Sequence, residues 1–185
     1  MFEERFFALL GTLEKITKAL VDAKIPFELI GGGAVMLHVN QVKPSAVRNT
    51  KDVDIMVQRA DLDRIKEAAA QHGFTFRHAA GVDLLLPARE TQARNAVRLI
   101  FTGENVRPNQ ATPNPPLRLQ HISVHGVDVA VVPVADLVLM KLSDNRDIDR
   151  VHVRDLDLVG LVTPEIERAL PPVIHARLQE IRGTE

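Results

Sequence analysis

Two aspartates separated by one residue are the first candidates for chemistry in this sequence. They are Asp52 and Asp54, at the start of the run Val53-Asp54-Ile55-Met56-Val57, which is typical of a buried strand. Side chains at i and i+2 of a strand project from the same face, with Cα atoms about 6.5–7 Å apart. Neighbouring carboxylates repel each other unless a cation lies between them, and hard oxygen ligands suit Mg²⁺ or Mn²⁺. The pair predicts a divalent-metal site; the alternative is two solvated aspartates at a strand end.

A run of three glycines is the second candidate, because it could bring the main chain close to a phosphate. The segment Leu29-Ile30-Gly31-Gly32-Gly33-Ala34 predicts a strand that enters a turn and then a helix. Glycine lets the main chain approach a ligand, and the free N–H groups at the start of a helix attract anions. Taken alone, such a turn is more often structural, so this prediction depends on what surrounds it.

The elements around these residues predict an α+β fold. Hydrophobic periodicity and capping signals predict helices over 2–23, 34–39, 61–71, 134–142 and 148–161, and two more after Thr163. Strands are expected at 27–30, 53–57, 74–78, 82–86, 96–102, 119–124 and 127–132, with a proline-rich loop at 103–116. We expect one domain over 1–185, with a core at about 25–132 and a helical part at about 133–185.

Composition excludes several classes of function. The 185 residues contain no Cys, which excludes disulfides, thiolate zinc sites and cysteine nucleophiles. Lys and Arg total 23 against 24 Asp and Glu, so the net charge of -1 does not favour a non-specific nucleic-acid coat. No P-loop motif is present, and the glycine run lacks the third glycine of a dinucleotide fingerprint. The sequence has no signal peptide and no long apolar run, so we expect a cytoplasmic protein with no membrane segment.

Taken together, the two candidate segments resemble the nucleotidyltransferase superfamily of the polymerase-β type. The matching pattern is Gly31-Gly32-x-Ala34 followed by Arg48-x-Thr50-x-Asp52-x-Asp54. The pattern looks most like small bacterial members grouped with AbiEii-type toxins and antibiotic nucleotidyltransferases. Farther along, residues 135–142 with Arg146-Asp147 and Arg154-Asp155-Leu156 resemble the helical segment of these proteins, so the likeness covers roughly 27–160. It implies a short mixed sheet with helices packed on it and a helical C-terminal trailer.

The resemblance also implies roles for individual residues. Asp52 and Asp54 would bind the metal, Mg²⁺ or Mn²⁺, and Gly31 and Gly32 would form the phosphate turn. Arg48 and Thr50 would contact phosphate or shape the loop. The mixed-charge segment at 144–155 is either a solvated helix face or a basic wall for the triphosphate or an RNA, with Lys141 and Arg146 nearest. Two histidines, His78 and His152, could approach such a site.

One position departs from the family pattern. The family carries a third carboxylate in the middle of a following strand, where this sequence has Arg98. A cation there would repel a metal, so another acid would have to serve. Asp83 and Glu104 are equal candidates for this third ligand, and Asp128 comes after them.

The resemblance predicts transfer of a nucleoside monophosphate from an NTP to a hydroxyl acceptor. That acceptor could be a tRNA end or another RNA, a protein side chain or a small molecule, and a toxin–antitoxin enzyme is one form of this activity. The alternative is a catalytically degenerate module that keeps the fold for binding or regulation, which Arg98 favours. Neither the acceptor nor the oligomeric state can be read from the sequence.

Overall fold

The computed structural model describes residues 2–48, 50, 52–87, 96–124 and 126–183. The helices within these ranges are α1 (Phe2–Asp22), α2 (Gly31–Val42), α3 (Leu62–Gln71), α4 (Val134–Asp144), α5 (Asp147–Leu158), α6 (Pro164–Ala169) and α7 (Pro172–Arg182). The strands are β1 (Glu28–Ile30), β2 (Val53–Val57), β3 (Phe74–Ala79), β4 (Val82–Pro87), β5 (Val97–Phe101), β6 (His121–Val124) and β7 (Val127–Ala130). These elements confirm the α+β class.

The first five strands form a mixed sheet. Their order is β1-β2-β5-β4-β3, with β2 and β5 parallel and the other neighbours antiparallel. The hairpin β6–β7 forms a second, two-stranded sheet, which meets β1 through a bridge between Leu29 and Val131. The short mixed sheet expected from the sequence is therefore confirmed.

Strand register decides which side chains share a face of the sheet. Asp54 on β2 lies opposite Arg98 on β5, and Arg98 lies opposite Leu84 on β4. Residues directly opposite each other project from the same face, so these three side chains share one face. Asp83 lies opposite Leu99 in the next register position and projects from the other face. The sheet thus separates Asp54 from Asp83.

Helix α2 begins earlier than the sequence predicted. Its first residue is Gly31, whereas the sequence placed the start at Ala34 because glycine is a poor helix former. Gly31 has φ +67°, which turns the chain directly from β1 into the helix. Ile30 is the N-cap residue and gives no side-chain cap, so the N–H groups of the first turn lie on the glycines themselves.

Two of the helices after β7 pack directly against α2. Helices α4 and α5 contact α2 and each other, and α7 contacts both α4 and α5. Their inward side chains are fully buried and continue the hydrophobic core of the sheet: Leu137, Leu142, Val153, Leu156, Ile174 and Leu178. This packing fixes α4 and α5 beside the glycine turn. Within the described ranges, no helix is long and apolar enough to cross a membrane.

Candidate active site

Asp54 is a nearly buried carboxylate pressed against the glycine turn. Its side chain is 14% exposed, and Oδ1 has no hydrogen-bond partner among the described residues. A Cβ on Gly31 would overlap Asp54 Oδ2, so only glycine allows the main chain of α2 to lie this close. The glycine turn and the carboxylate predicted from the sequence therefore meet at one point.

The charge of Asp54 is partly balanced by nearby cations, among which Arg98 has the largest effect. Burial raises the pKa of Asp54, and the nearby charge of Asp52 raises it further, whereas Arg98 lowers it. Arg98 Nε lies 3.5 Å from Asp54 Oδ1. Asp52 is exposed, and its N–H donates to Thr50 Oγ1 at 3.3 Å. The two aspartates thus differ, one being buried beside a guanidinium and the other facing water.

A pocket opens in front of Asp54. Its polar wall combines four cations with three carboxylates, and its apolar wall comes from β1, β4, β5, the loop at 103–116 and α4. The charged lining residues are Asp54, Arg98, Arg107, Lys141, Asp144, Arg146 and Asp149. Such a mixed lining suits a polyanionic ligand whose charge is neutralised on several sides.

Lys141 and Arg146 are held in place by one buried carboxylate. Lys141 Nζ donates to Asp149 Oδ1 at 2.9 Å, and Arg146 Nε donates to Asp149 Oδ2 at 2.6 Å. Asp149 is 1% exposed; burial opposes its ionisation, but the hydrogen bond from Arg146 and the charge of Lys141 lower its pKa overall. Asp149 therefore stays ionised and fixes two cations at the pocket.

The proline-rich loop at 103–116 brings Arg107 to the pocket. Asn114 Nδ2 donates to the carbonyl of Phe101, and Gln110 bonds Asn114 from within the loop. Thr112 N donates to Ser143 Oγ at 2.7 Å, which ties the loop to the end of α4. The loop lacks helices and strands, yet these bonds give it a fixed path along the site.

The sequence matches the model of one protein family. This model is described as an uncharacterised nucleotidyltransferase, and it matches residues 1–144, more than half of the chain. The chain belongs to this nucleotidyltransferase family. The match includes the glycine turn, Asp52, Asp54, Arg98 and Lys141.

Solved structures support the same fold. The antibiotic-resistance factor ANT(2'')-Ia in solution is similar with a TM-score of 0.61 and 13% identity, covering 100% of this chain and 96% of the other. A crystal structure of ANT(2'')-Ia with adenylyl-2''-tobramycin gives a TM-score of 0.55 at 12% identity, over 92% and 95% of the chains. An antigenic nucleotidyltransferase-like protein from Paracoccidioides brasiliensis gives 0.58 at 13% identity, over 96% and 88%. No curated protein matches this chain in sequence.

The three acids predicted as a third metal ligand lie outside the pocket in front of Asp54. Asp83 bonds Arg59 and His78 on the face of the sheet opposite Asp54, and both Glu104 oxygens bond Arg59. These residues line a second pocket, which shares only part of its wall with the first. Asp128 lies on β7 and contacts His121 at 2.8 Å. In this structure, then, none of the three acids expected from the sequence lies in the pocket beside Asp54.

Asp144, like Asp149, is a pocket carboxylate that was not predicted from the sequence as part of the site. It lies at the end of α4, three residues after Lys141, so the two share one face of the helix. Burial and the charge of Asp149 raise the pKa of Asp144, and its Oδ1 has no hydrogen-bond partner in the part of the chain that the structure describes. The spacing of three residues from Lys141 could have indicated that Asp144 lies at the same pocket.

Arg48 and Thr50 shape the loop that precedes β2. Arg48 Nε donates to Asp155 Oδ2 on α5 at 2.6 Å, and Arg48 is absent from the pocket lining. Thr50 Oγ1 would lie 3.0 Å from a Cβ on Gly32, so Thr50 flanks the first turn of α2. Arg48 thus anchors the loop to α5, and Thr50 borders the glycine turn.

The donors near Asp54 fit a magnesium ion only with help from a ligand. Within the described ranges, no group of three or more His, Cys, Asp or Glu side chains is arranged to bind a metal. Mg²⁺ is commonly held by one or two carboxylates together with substrate phosphates and water. Asp52 and Asp54, with the buried Oδ1 of Asp54 lacking a hydrogen-bond partner among the described residues, fit that smaller donor set.

Replacing Arg98 should reveal its charge balance with Asp54. We expect Arg98→Leu to lower the free energy of unfolding by about 1 kcal/mol, because it leaves a buried carboxylate without its nearest cation. This loss of stability is smaller than for a fully buried pair, because the Arg98 side chain is 39% exposed and water screens its charge. In an Asp54→Asn background the same substitution should cost much less, which urea unfolding of the double-mutant cycle measures. Equal costs in the two backgrounds would contradict the coupling.

Proposed function

We propose that this family member transfers a nucleoside monophosphate from an NTP to a hydroxyl acceptor with the help of a divalent metal. The observation that carries the proposal is Asp54: a nearly buried carboxylate whose Oδ1 has no hydrogen-bond partner among the described residues, facing a pocket with four cations. A buried charge is costly unless it is paired, so such a group is a marker of function. The family assignment supports the same reaction class.

Each group of pocket residues has a part in this reaction. The N–H groups of Gly31 to Gly33 at the start of α2 bind a phosphate, and Lys141, Arg146, Arg98 and Arg107 neutralise the rest of the triphosphate. Asp52 and Asp54 would hold Mg²⁺ or Mn²⁺, which would polarise the phosphate and lower the pKa of the attacking hydroxyl. The hydroxyl oxygen would form a bond to the α-phosphorus while its proton passes to water, and the bond from that phosphorus to the leaving pyrophosphate would break.

The second candidate is nucleotide binding without transfer, and Arg98 favours it. The guanidinium lies 3.5 Å from Asp54, in direct register on the parallel strand, and it competes with a metal for the same carboxylate. A pocket that binds nucleotide through its cations alone would serve a binding or regulatory module. The two candidates differ in metal dependence and in chemical turnover.

One of the similar structures points to a class of acceptor. ANT(2'')-Ia has been crystallised with an adenylylated aminoglycoside, and a small hydroxylated molecule is one acceptor class by that analogy. A tRNA end or other RNA and a protein side chain are the others. The AbiEii likeness and a toxin–antitoxin role stay predictions of the sequence, and host growth during induced expression would test them.

Thermal-shift titration of the protein tests the proposal. We expect any NTP that the protein binds to raise its melting temperature in the presence of Mg²⁺. A ligand at 100 times its Kd adds about 2.7 kcal/mol to the stability of the folded state. In Asp52→Asn/Asp54→Asn the metal-dependent part of this shift should vanish when measured from the variant's own baseline. The control is Asp63→Asn on α3, where the side chain is 92% exposed.

The outcomes of this titration separate the two candidates. A shift that needs metal, together with label transfer from an α-labelled NTP, supports the transferase. A shift of equal size with and without metal, and no label transfer, favours the binding module. No shift with any NTP in the wild-type protein would contradict both.

A further inference from the structure

His152 lies against the glycine turn but is not among the residues proposed to bind the metal or the triphosphate. It belongs to α5, and its Cε1 would be 3.4 Å from a Cβ built on Gly32. Thr50 Oγ1 approaches the same point to 3.0 Å. Because Gly32 has no side chain, the Cε1 edge of the imidazole, which lies between the two ring nitrogens, packs beside the first turn of α2.

The ring is poised to make a further hydrogen bond. His152 Nδ1 is buried and has no hydrogen-bond partner among the residues that the structure describes. Burial lowers the pKa of His152 to about 4, helped by the positive charge of Lys141; Asp149 and Asp155 raise it, and Arg146 lowers it. The imidazole is therefore neutral near pH 7 and carries one N–H donor and one acceptor nitrogen.

His38 shows what a structural histidine looks like in the same protein. His38 is buried, and burial lowers its pKa as it does that of His152, but its Nε2 lies 2.8 Å from the carbonyl oxygen of Val132, two residues after β7. The polar ring of His38 therefore has a hydrogen-bond partner within the fold itself. His152 Nδ1 lacks such a partner among the described residues, and the Cε1 edge of the same ring lies against the turn at which a phosphate is proposed to bind.

We propose that His152 binds a phosphate group of the nucleotide, donating a ring N–H to a phosphate oxygen beside the first turn of α2. This inference rests on the proposed nucleotide site. The helix supplies main-chain N–H groups from Gly31 to Gly33, since α2 has no side-chain cap. The imidazole adds a directed donor on the flank of the turn, whereas Lys141 and Arg146 supply the charge. His152 is thus a phosphate-binding residue that acts without carrying charge itself.

Two substitutions separate a hydrogen bond from a packing role. His152→Leu keeps an apolar side chain of similar bulk and removes both nitrogens, whereas His152→Asn retains an amide donor near the position of Nδ1. Isothermal titration with an NTP and with inorganic tripolyphosphate should show a Kd raised about 10- to 100-fold in His152→Leu, the range of a hydrogen bond to a charged group. His152→Asn should recover most of that loss. His175→Leu on the exposed surface of α7 is the matched control and should leave the Kd unchanged.

A spectroscopic measurement distinguishes contact from an indirect effect. The ¹⁵N resonances of the His152 ring should shift when tripolyphosphate is added to the wild-type protein, while those of His38 should stay in place. Unchanged ring resonances on binding, an unchanged Kd in His152→Leu, or a loss of affinity that follows a lower melting temperature in both variants would overturn the role of His152. Failure of the wild-type protein to bind either ligand would instead overturn the nucleotide site itself.

Discussion

Asp54→Asn should lower the rate of nucleotidyl transfer by about 10³-fold or more while leaving the protein folded. A metal held by Asp54 would stabilise developing charge by several kcal/mol, and about 4 kcal/mol corresponds to a factor of about 10³ in rate. An asparagine keeps the size of the side chain but cannot supply the anionic oxygen that lies against Gly31. Transfer of label from an α-labelled NTP measures the effect. Retained labelling in the variant would contradict the assignment of Asp54.

The same substitution should raise stability, and the sign follows from the pKa of Asp54. Burial raises this pKa in the folded state, so the ionised carboxylate destabilises the fold at neutral pH. This cost is present above the raised pKa and is relieved as the pH falls and the folded state takes up a proton. Asp54→Asn removes the cost, so its gain in melting temperature should be largest near pH 7 and fade in acid. Loss of activity with a gain in stability is the pattern of a functional residue.

The controls for this prediction come from the same chain. Asp63→Asn removes a carboxylate from α3 whose side chain is 92% exposed and whose nearest cation is Lys66. It should change neither the rate nor the pH dependence of stability. A fall in rate in Asp63→Asn would point to a general effect of lost negative charge and would weaken the case for Asp54.

The parts of the site that lie within one local segment could be predicted from the sequence. The alternation of apolar and acidic residues around Asp54 predicts strand β2, and the glycines after Ile30 predict a sharp turn beside it. Strand β2 and the turn after β1 could each be predicted separately, because the residues that form each of them are adjacent in the chain. The start of α2 was wrong by three residues because Gly31 acts as a turn residue and as the first helical residue together.

The parts that depend on long-range packing could not be predicted in the same way. Asp83 was an equal candidate for the metal because nothing in its local sequence says which face of the sheet it occupies. The pairing of Leu84 with Arg98 decides this, and a shift of one residue would have reversed the answer. For a similar reason the sequence offered His78 and His152 together, and only the packing of α5 on α2 places His152 at the turn.

Gly31→Ala should be among the most destabilising single substitutions at this site, at about 2–4 kcal/mol. Two costs add: an L-residue with a side chain at φ +67° costs about 1–2 kcal/mol, and the new Cβ would overlap the Asp54 carboxylate. Urea unfolding measures the total. Nucleotide binding should also be lost, because moving either the turn or Asp54 separates the first helical N–H groups from the carboxylate.

Gly81→Ala separates the two costs. Gly81 has φ +74°, nearly the same as Gly31, but a Cβ built on it meets no atom within 4 Å among the described residues. It should therefore show the conformational cost alone, and the difference between the two variants measures the overlap with Asp54. Adding Asp54→Ala to Gly31→Ala should recover that difference, since the smaller side chain removes the clashing oxygen. Equal losses in Gly31→Ala and Gly81→Ala would mean that the turn and the carboxylate are not in contact, and the site would lose the feature that joins its two halves.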